Sequence, residues 1–264
     1  MTPQRETGPR VTVVCAFKGG VSKTSTTVNL AASFAAMGRR VLVIDLDPQG
    51  GVATALGMDE DSGRGLLDAL LTDGAPLPVA RHSGFGFDVT LGGSRLTDAT
   101  SALPRREVPW QWSLADKLGS LPIYDEILVD TPPGLGSLTM VALVAGDRVL
   151  IPTTLDPAAS HTLGQVLEAM EIVRTQPRSR PLNPKLRLAG VLPAIVDPRT
   201  RLSREILELL RAAPEYRLIE PVIPARAAVR EAALEGRPIV VAAPRSEAAL
   251  AYREVARVLL EDRP

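Results

Sequence analysis

The sequence predicts a single-domain α/β fold, a mostly parallel twisted sheet with helices on both faces. Three observations predict it. Short apolar, β-branched runs alternate with stretches of helical period along most of the 264 residues. The runs are apolar throughout, as strands covered on both faces require. Those at 41–44 and 127–129 lead straight into an aspartate, which puts carboxylates at the strand ends where an open parallel sheet gathers its ligands.

The elements follow in chain order. Residues 1–10 hold no apolar run and are expected to be a flexible N-terminus, with the domain over 11–264. Val11 to Ala16 reads as the first strand and Lys18 to Ser22 as a glycine-containing loop. Leu30, Phe34 and Met37 recur at helical spacing, and Gly38 stands where a helix C-terminus favours glycine. Val41 to Ile44 is a second strand running into Asp45. This completes a strand–helix–strand unit whose crossover is expected to be right-handed. Ile127 to Val129 ends in Asp130, Arg148 to Ile151 in Pro152, and Leu188 to Leu192 in Pro193. Between them helices are expected over Leu138 to Ala145 and on the stripe Leu163, Val166, Leu167, Met170 and Val173. Two more are expected, from Ser203 to Ala213 and from Ser246, as N-cap, to Leu260. Gly74 to Pro122, rich in Gly, Pro, Ser and Arg, reads as an irregular middle.

Composition narrows the function. The 30 Lys and Arg balance 30 Asp and Glu, which excludes a wholly basic nucleic-acid protein and an acidic disordered one. Apolar residues make up 45% and aromatics 3%, so a sizeable core is built of Ala, Val, Leu and Ile. The single cysteine, Cys15, excludes an intrachain disulfide or Cys-ligated cluster and reads as an inert buried thiol. His82 and His161 lack Asp or Cys partners at metal-ligand spacing and read as surface or cap residues. Trp110 and Trp112 are expected to pack over a sheet edge. Met1 to Arg10 has no apolar h-region and no 18-residue apolar run occurs anywhere, so a cytoplasmic protein without a membrane span is expected.

The chemistry concentrates in Lys18-Gly19-Gly20-Val21-Ser22-Lys23-Thr24-Ser25, between a strand and a helix. Converging backbone N–H groups bind phosphate, glycines permit the close approach, and the helix N-terminus adds partial positive charge. Lys23 would reach the β/γ-phosphates and Thr24 would offer its hydroxyl to Mg2+. The ordinary phosphate-loop template expects glycine where Phe17 and Ser22 stand; the distinguishing feature is the second lysine, Lys18, at the start of the loop.

With that lysine the sequence resembles the ParA/Soj family of deviant-Walker-A partitioning ATPases, relatives of MinD. The family's KGGVGKTT is KGGVSKTS here, and its DxDPQGN is Asp45-Leu46-Asp47-Pro48-Gln49-Gly50-Gly51. Its Walker B segment is Ile127-Leu128-Val129-Asp130-Thr131-Pro132-Pro133. Asp197 to Leu202 and Ile223 to Ile239 are also similar, so the resemblance covers nearly the whole chain.

It implies a P-loop NTPase fold and ATP with Mg2+ as cofactors. Gly19, Gly20, Val21, Ser22, Lys23, Thr24 and Ser25 would wrap the triphosphate, with Thr24, Asp45 and Asp130 near the metal. Lys18 would cross a dimer interface to the partner's nucleotide, and Asp47 would orient the attacking water. Pro224 matches the loop that contacts adenine. The family's asparagine two residues later is Arg226 here, and Ser22 replaces a glycine, from which slow hydrolysis is expected.

Charge is segregated. Residues 174–230 carry twelve basic against five acidic side chains, a surplus of seven that the remaining chain cancels. The resemblance implies binding of nonspecific double-stranded DNA by the ATP-dependent homodimer through this region, with Arg199, Arg201, Arg226 and Arg230 as candidates. Solvated helix faces are the alternative reading of such a run. A ParB-like centromere-binding partner, chromosome or plasmid segregation and a nucleoid-associated location complete what is implied. A relative moving a non-DNA cargo and a MinD-like membrane-surface ATPase are the other functions weighed. The second would need a basic amphipathic C-terminal helix, and the tail at 254–264 is acidic and poor in aromatics. No helix-turn-helix segment is expected before the first strand.

Overall fold

The computed structural model describes residues 8–78, 80–107, 109–119, 121, 123–177, 181–197 and 199–262. Its centre is a seven-stranded sheet of β1 (Arg10–Val14), β2 (Val41–Asp45), β3 (Arg81–His82), β4 (Asp88–Thr90), β5 (Glu126–Asp130), β6 (Arg148–Thr153) and β7 (Arg187–Pro193). The spatial order is β3-β4-β2-β5-β1-β6-β7. All pairings are parallel except β3 on β4. The expected mostly parallel α/β sheet is therefore the observed fold.

The larger helices are α1 (Lys23–Ala36), α2 (Gly51–Ala55), α3 (Arg64–Leu71), then the short α4 (Ala99–Ala102) and α5 (Ala115–Leu118), and α6 (Ser137–Ala145). After them come α7 (Ala159–Thr175), α8 (Arg201–Arg211), α9 (Ala227–Leu234), α10 (Ile239–Ala242) and α11 (Glu247–Glu261). Strand side chains alternate between two cores. Val11, Val13, Leu42, Ile44, Ile127 and Val129 face the core shared with α3, α6 and α7, whereas Val41, Val43, Leu128 and Leu150 face the one shared with α1, α10 and α11. A strand apolar on both sides is what a sheet covered on both faces demands.

Several local expectations are met. Gly38, just past α1, has φ 77°, the left-handed position that costs a Cβ-bearing residue about 1 kcal/mol or more. Ser246 caps α11 by accepting from the Ala249 N–H at 3.3 Å. Cys15 is fully buried, and desolvation pushes its thiol up to about 12.

Other expectations are completed or corrected. The sequence leaves the sheet neighbours of β1 and β2 open, and β5 lies between them and pairs with both; local pattern carries no information on a strand 80 residues further on. β1 starts at Arg10, expected to belong to a flexible segment over 1–10, and residues 1–7 of that segment lie outside the described residues. β6 runs through Pro152 to Thr153 instead of stopping at the proline. α8 begins two residues earlier than expected, because Thr200 caps it by accepting from the Ser203 N–H at 3.2 Å. The irregular middle holds β3, β4, α4, α5 and 3-10 turns at Ser94–Asp98, Leu103–Arg105 and Trp110–Trp112. Its strands are two and three residues long, too short for periodicity to register. Trp110 and Trp112 are half-buried and pack against α6 instead of a sheet edge. His82 and His161 are both exposed.

Candidate functional site

The carboxyl ends of β1, β2 and β5 place the loop 15–22, Asp45 and Asp130 side by side, with Asp45 and Asp130 in direct register on adjacent strands. Beside them opens a cleft of about 650 Å³, which Asp45 and Asp130, both fully buried, do not themselves line. It is lined by Gly19, Gly20, Ser22, Lys23, Thr24 and Ser25 of the loop and helix start, and by Asp47, Gln49 and Pro133. Its lining also includes Ile195, Ile223, Pro224, Arg226, Arg230 and Tyr252, among others.

The loop is shaped for phosphate. Gly20 has φ 74°, and a Cβ added at Gly19 or Gly20 would meet no atom of the chain within 4 Å. Both glycines line the cleft, so the space left by their missing side chains is ligand space. Lys23, only 8% exposed, curls its ammonium back onto the Lys18 carbonyl at 3.3 Å. It lies at the N-terminus of α1, whose first amides point into the cleft region. Ser22 is the N-cap and holds φ 69°, ψ 26° with no side-chain capping bond. The backbone here is left-handed, so the position where the family carries glycine is one where glycine is the unstrained residue.

Two buried carboxylates face the loop. Asp130 accepts from the Thr24 hydroxyl at 2.6 Å and the Thr27 hydroxyl at 3.1 Å. Burial raises it to about 6, against the opposing pull of those bonds and of Lys23. Asp45 accepts from the backbone N–H groups of Asp47 at 2.9 Å and Val52 at 3.2 Å. Burial first, and the neighbouring Asp130 second, raise it well above the ordinary carboxylate range. Two adjacent desolvated acids are poorly tolerated as a pair of anions, and a divalent cation is the natural counter-charge. The donor set, one hydroxyl and hard carboxylate oxygens, suits Mg2+. Among the described residues no cluster of three or more His, Cys, Asp or Glu side chains is placed to hold a metal by itself. Water and phosphate oxygens would supply its remaining ligands, as is usual for Mg2+.

Not every expected residue reaches the cleft. Val21 is 3% exposed with its side chain in the interior, so only its backbone can serve a nucleotide. Lys18 does not line the cleft of its own chain. Its ammonium pairs with Asp156 at 2.5 Å, and Thr154 donates to the same carboxylate oxygen. Lys18 and then Thr154 hold Asp156 below its usual range. Asp47 lines the cleft and orders its own turn by accepting from the Gln49 N–H at 2.9 Å.

The C-terminal loops complete the lining. Val196 bridges Pro224, with Val196 N–H to Ile223 O at 3.0 Å and Ala225 N–H to Val196 O at 2.8 Å. Pro224, Arg226 and Arg230 thereby line the cleft, so the two arginines weighed as DNA contacts sit at its edge. Arg199 pairs with Asp197 at 2.9 Å and Arg201 with Glu205 at 2.6 Å, both highly exposed. Sequence reading missed Asp156, Gln49, Ile195, Tyr252 and Glu247. Asp156 carried a usable signal, an aspartate shortly after an apolar strand. Ile195 carried none, though the structure gives it φ 57° at the cleft wall, unusual for a β-branched residue.

Phosphate loop, strand-end carboxylates and cleft together define a class, the P-loop ATPases. A protein-family model described as an AAA domain matches residues 9–188. The chain is 36% identical over 243 residues to the chromosome-partitioning ATPase Soj of Thermus thermophilus, covering 92% of each. It is 31% identical over 259 residues to the chromosome partitioning protein ParA of Myxococcus xanthus, covering 96% of this chain and 88% of that one. Among solved structures, a Mycobacterium smegmatis protein described as cobyrinic acid a,c-diamide synthase, with bound ATP analogue and magnesium, superposes with a TM-score of 0.81 at 32% identity. That match covers 96% of this chain and 95% of the other. The cell division ATPase MinD of Pyrococcus furiosus, at 24% identity and TM-score 0.71, shares the fold. The chain belongs to the ParA/Soj family of partitioning ATPases. It is an ATPase that uses ATP and Mg2+.

Proposed function

We propose that the protein is an ATP-switched partitioning motor for DNA. ATP joins two copies face to face over their clefts, and the dimer holds double-stranded DNA without sequence preference. A ParB-like protein on the cargo stimulates hydrolysis and release, so that chromosome or plasmid DNA is segregated. The observation that carries this reading is Lys18. It begins the phosphate loop yet points away from its own cleft, onto half-exposed Asp156. Such an exposed pair contributes at most about 1 kcal/mol and is readily exchanged, leaving an ammonium free to meet phosphate charge across a dimer. Lys23 and Thr24 would orient the triphosphate, Thr24, Asp45 and Asp130 would hold Mg2+, and Asp47 would position water.

The DNA face is supported by Arg199, Arg201 and Arg204 around the start of α8. Arg199 and Arg201 are held by exposed ion pairs that salt or phosphate can displace. Arg204 has no ion-pair partner among the described residues. Membrane-surface binding is disfavoured because the apolar face of α11, including Tyr252, Val255 and Leu259, is spent in the second core. No helix of the described residues is long and apolar enough to cross a membrane.

The test is a DNA mobility shift at low and moderate salt with ATP, ADP or no nucleotide, beside mass measurement with ATP. ATP-dependent, salt-sensitive retardation and ATP-dependent doubling of mass, with doubling lost in Lys18→Gln, are expected. Binding that ignores nucleotide, or no binding at all, overturns the motor.

A further inference from the structure

We infer that the end of the sheet opposite the cleft carries a second oxyanion site, in which the Asp262 carboxylate holds the seat of a phosphate. The N-terminal ends of the strands gather its residues. Arg10 begins β1, Glu126 begins β5, Arg148 begins β6 and Arg187 begins β7. The register pairs Arg10 with Glu126, Thr12 with Arg148, and Arg148 with Arg187. Their side chains therefore share one face of the sheet, the face on which Leu128, Leu150 and Ala189, two residues further along, pack in the core with α11.

Asp262 follows α11 and is gripped by more cations than one carboxylate needs. Arg187 Nη1 donates to its Oδ2 at 2.5 Å, and Arg217 Nη2 donates to its Oδ1 at 3.1 Å. Arg148 Nη1 lies 3.6 Å from the same Oδ2. Against the upward push of burial, Arg187 and Arg217 hold the Asp262 carboxyl below its usual range. Three guanidiniums thus converge on one negative charge.

The neighbouring carboxylate does not absorb the excess. Glu126 is engaged by Arg10, whose Nη2 and Nε donate to its two oxygens at 2.6 and 3.1 Å, with Arg39 also 3.6 Å away. Arg148 is fully buried, yet its Nη2 stops 3.7 Å short of Glu126 and has no hydrogen-bond partner among the described residues. The buried Nε of Arg39 has none among them either. Burial first, then Arg10 and Arg187, pull Arg148 down to about 10 against the opposing Glu126 and Asp262. Arg40 pairs with Asp125, and Asp147 accepts from the Val11 N–H. With these included, six guanidiniums stand against four carboxylates here among the described residues. Buried cations need counter-charge, and this end of the sheet is short of it.

A phosphate answers these terms better than Asp262 does. It brings nearly two negative charges at neutral pH and accepts on several oxygens at once. Arginine forks match such oxyanions in bidentate pairs. Asp262 is placed to yield, because it caps α11 from beyond the last turn and its side chain is 16% exposed. Turning that side chain outward leaves the helix wound. Arg217, half-exposed, and Arg187 would meet the incoming oxyanion, with Arg148 behind them.

The experiment is calorimetric titration of inorganic phosphate into the full chain, with ionic strength held constant by chloride. Mg2+ and saturating AMPPNP fill the cleft, so that the Gly19–Ser25 loop takes up no phosphate. The unaltered protein is expected to bind phosphate at a single site. Asp262→Asn removes the competing charge and is expected to bind it about tenfold tighter, whereas Arg187→Gln is expected to bind it about tenfold weaker, the size of one charged hydrogen bond. Absence of phosphate binding by the unaltered protein overturns the inference without any variant having to fold. Unchanged or weaker binding by Asp262→Asn overturns it too, since that carboxylate would then not hold the seat. Equal affinity in Arg187→Gln and the unaltered protein places the phosphate elsewhere and also overturns it.

Discussion

Replacing Asp130 with Asn should stabilise the nucleotide-free protein at neutral pH while destroying its ATPase activity. Asp130 is fully buried at the end of β5, beside Asp45 on β2. Burial lifts its carboxyl from the ordinary 3.8 to about 6. Each unit is worth about 1.4 kcal/mol, so keeping the group ionised in the fold costs roughly 3 kcal/mol. The sign follows from proton binding. Between about pH 4 and pH 6 the folded state binds more protons than the unfolded state, so stability falls as pH rises through that window and stays low above it. Asn has the same shape and no charge, and its absence of charge also relieves Asp45. Urea unfolding of both proteins without nucleotide or magnesium, at pH 4 and pH 7.5, checks the reasoning. The variant is expected to be more stable by about 3 kcal/mol at pH 7.5, with the advantage gone near pH 4. Added ATP and Mg2+ should then stabilise the unaltered protein and leave the variant nearly unmoved. An Asn variant less stable at pH 7.5, or an advantage equal at both pH values, would refute the claim that desolvation strains this carboxylate.

Two further outcomes follow from strain and burial. Ser22→Gly should raise stability by about 1 kcal/mol, because the left-handed backbone at φ 69° suits glycine, and should speed ATP hydrolysis measured with radiolabelled ATP. Equal rates would remove Ser22 as the limit on turnover. Arg148 is fully buried at the opposite end of the sheet, donating to Thr12 at 2.8 Å and to the Leu259 carbonyl at 2.6 Å and lying 3.7 Å from Glu126. Arg148→Ala strands that carbonyl and a buried carboxylate, so a loss of about 3–5 kcal/mol is expected in urea unfolding; a loss below about 1 kcal/mol would mean that Arg10, also on Glu126, suffices.

Much of the site was legible in the chain. Lys18 to Ser25, Asp45, Asp47 and Asp130 are each adjacent to a strand whose apolar run identifies it, and phosphate loops work through contiguous backbone. The rest of the lining was less legible. Pro224 and Arg226 were reached only through resemblance, while Ile195 and Tyr252 come from a strand exit and a helix whose own patterns read as ordinary core. The partners Asp156 for Lys18 and Glu247 for Arg226 lie 138 and 21 residues away. No local spacing rule joins such pairs.

By itself the sequence determined what depends on neighbours along the chain. These are strand and helix identity for the long elements, the glycine end of α1, the phosphate loop and the family. The tertiary structure decided what depends on long-range pairing. It inserted β5 between β1 and β2, which sets Asp45 and Asp130 in register and makes two ordinary carboxylates a strained pair. It turned Lys18 outward and carried Arg226 to the cleft edge. The reason is physical: hydrogen-bonding propensity and periodicity are properties of short segments, whereas desolvation and the meeting of charges exist only once remote segments are packed together.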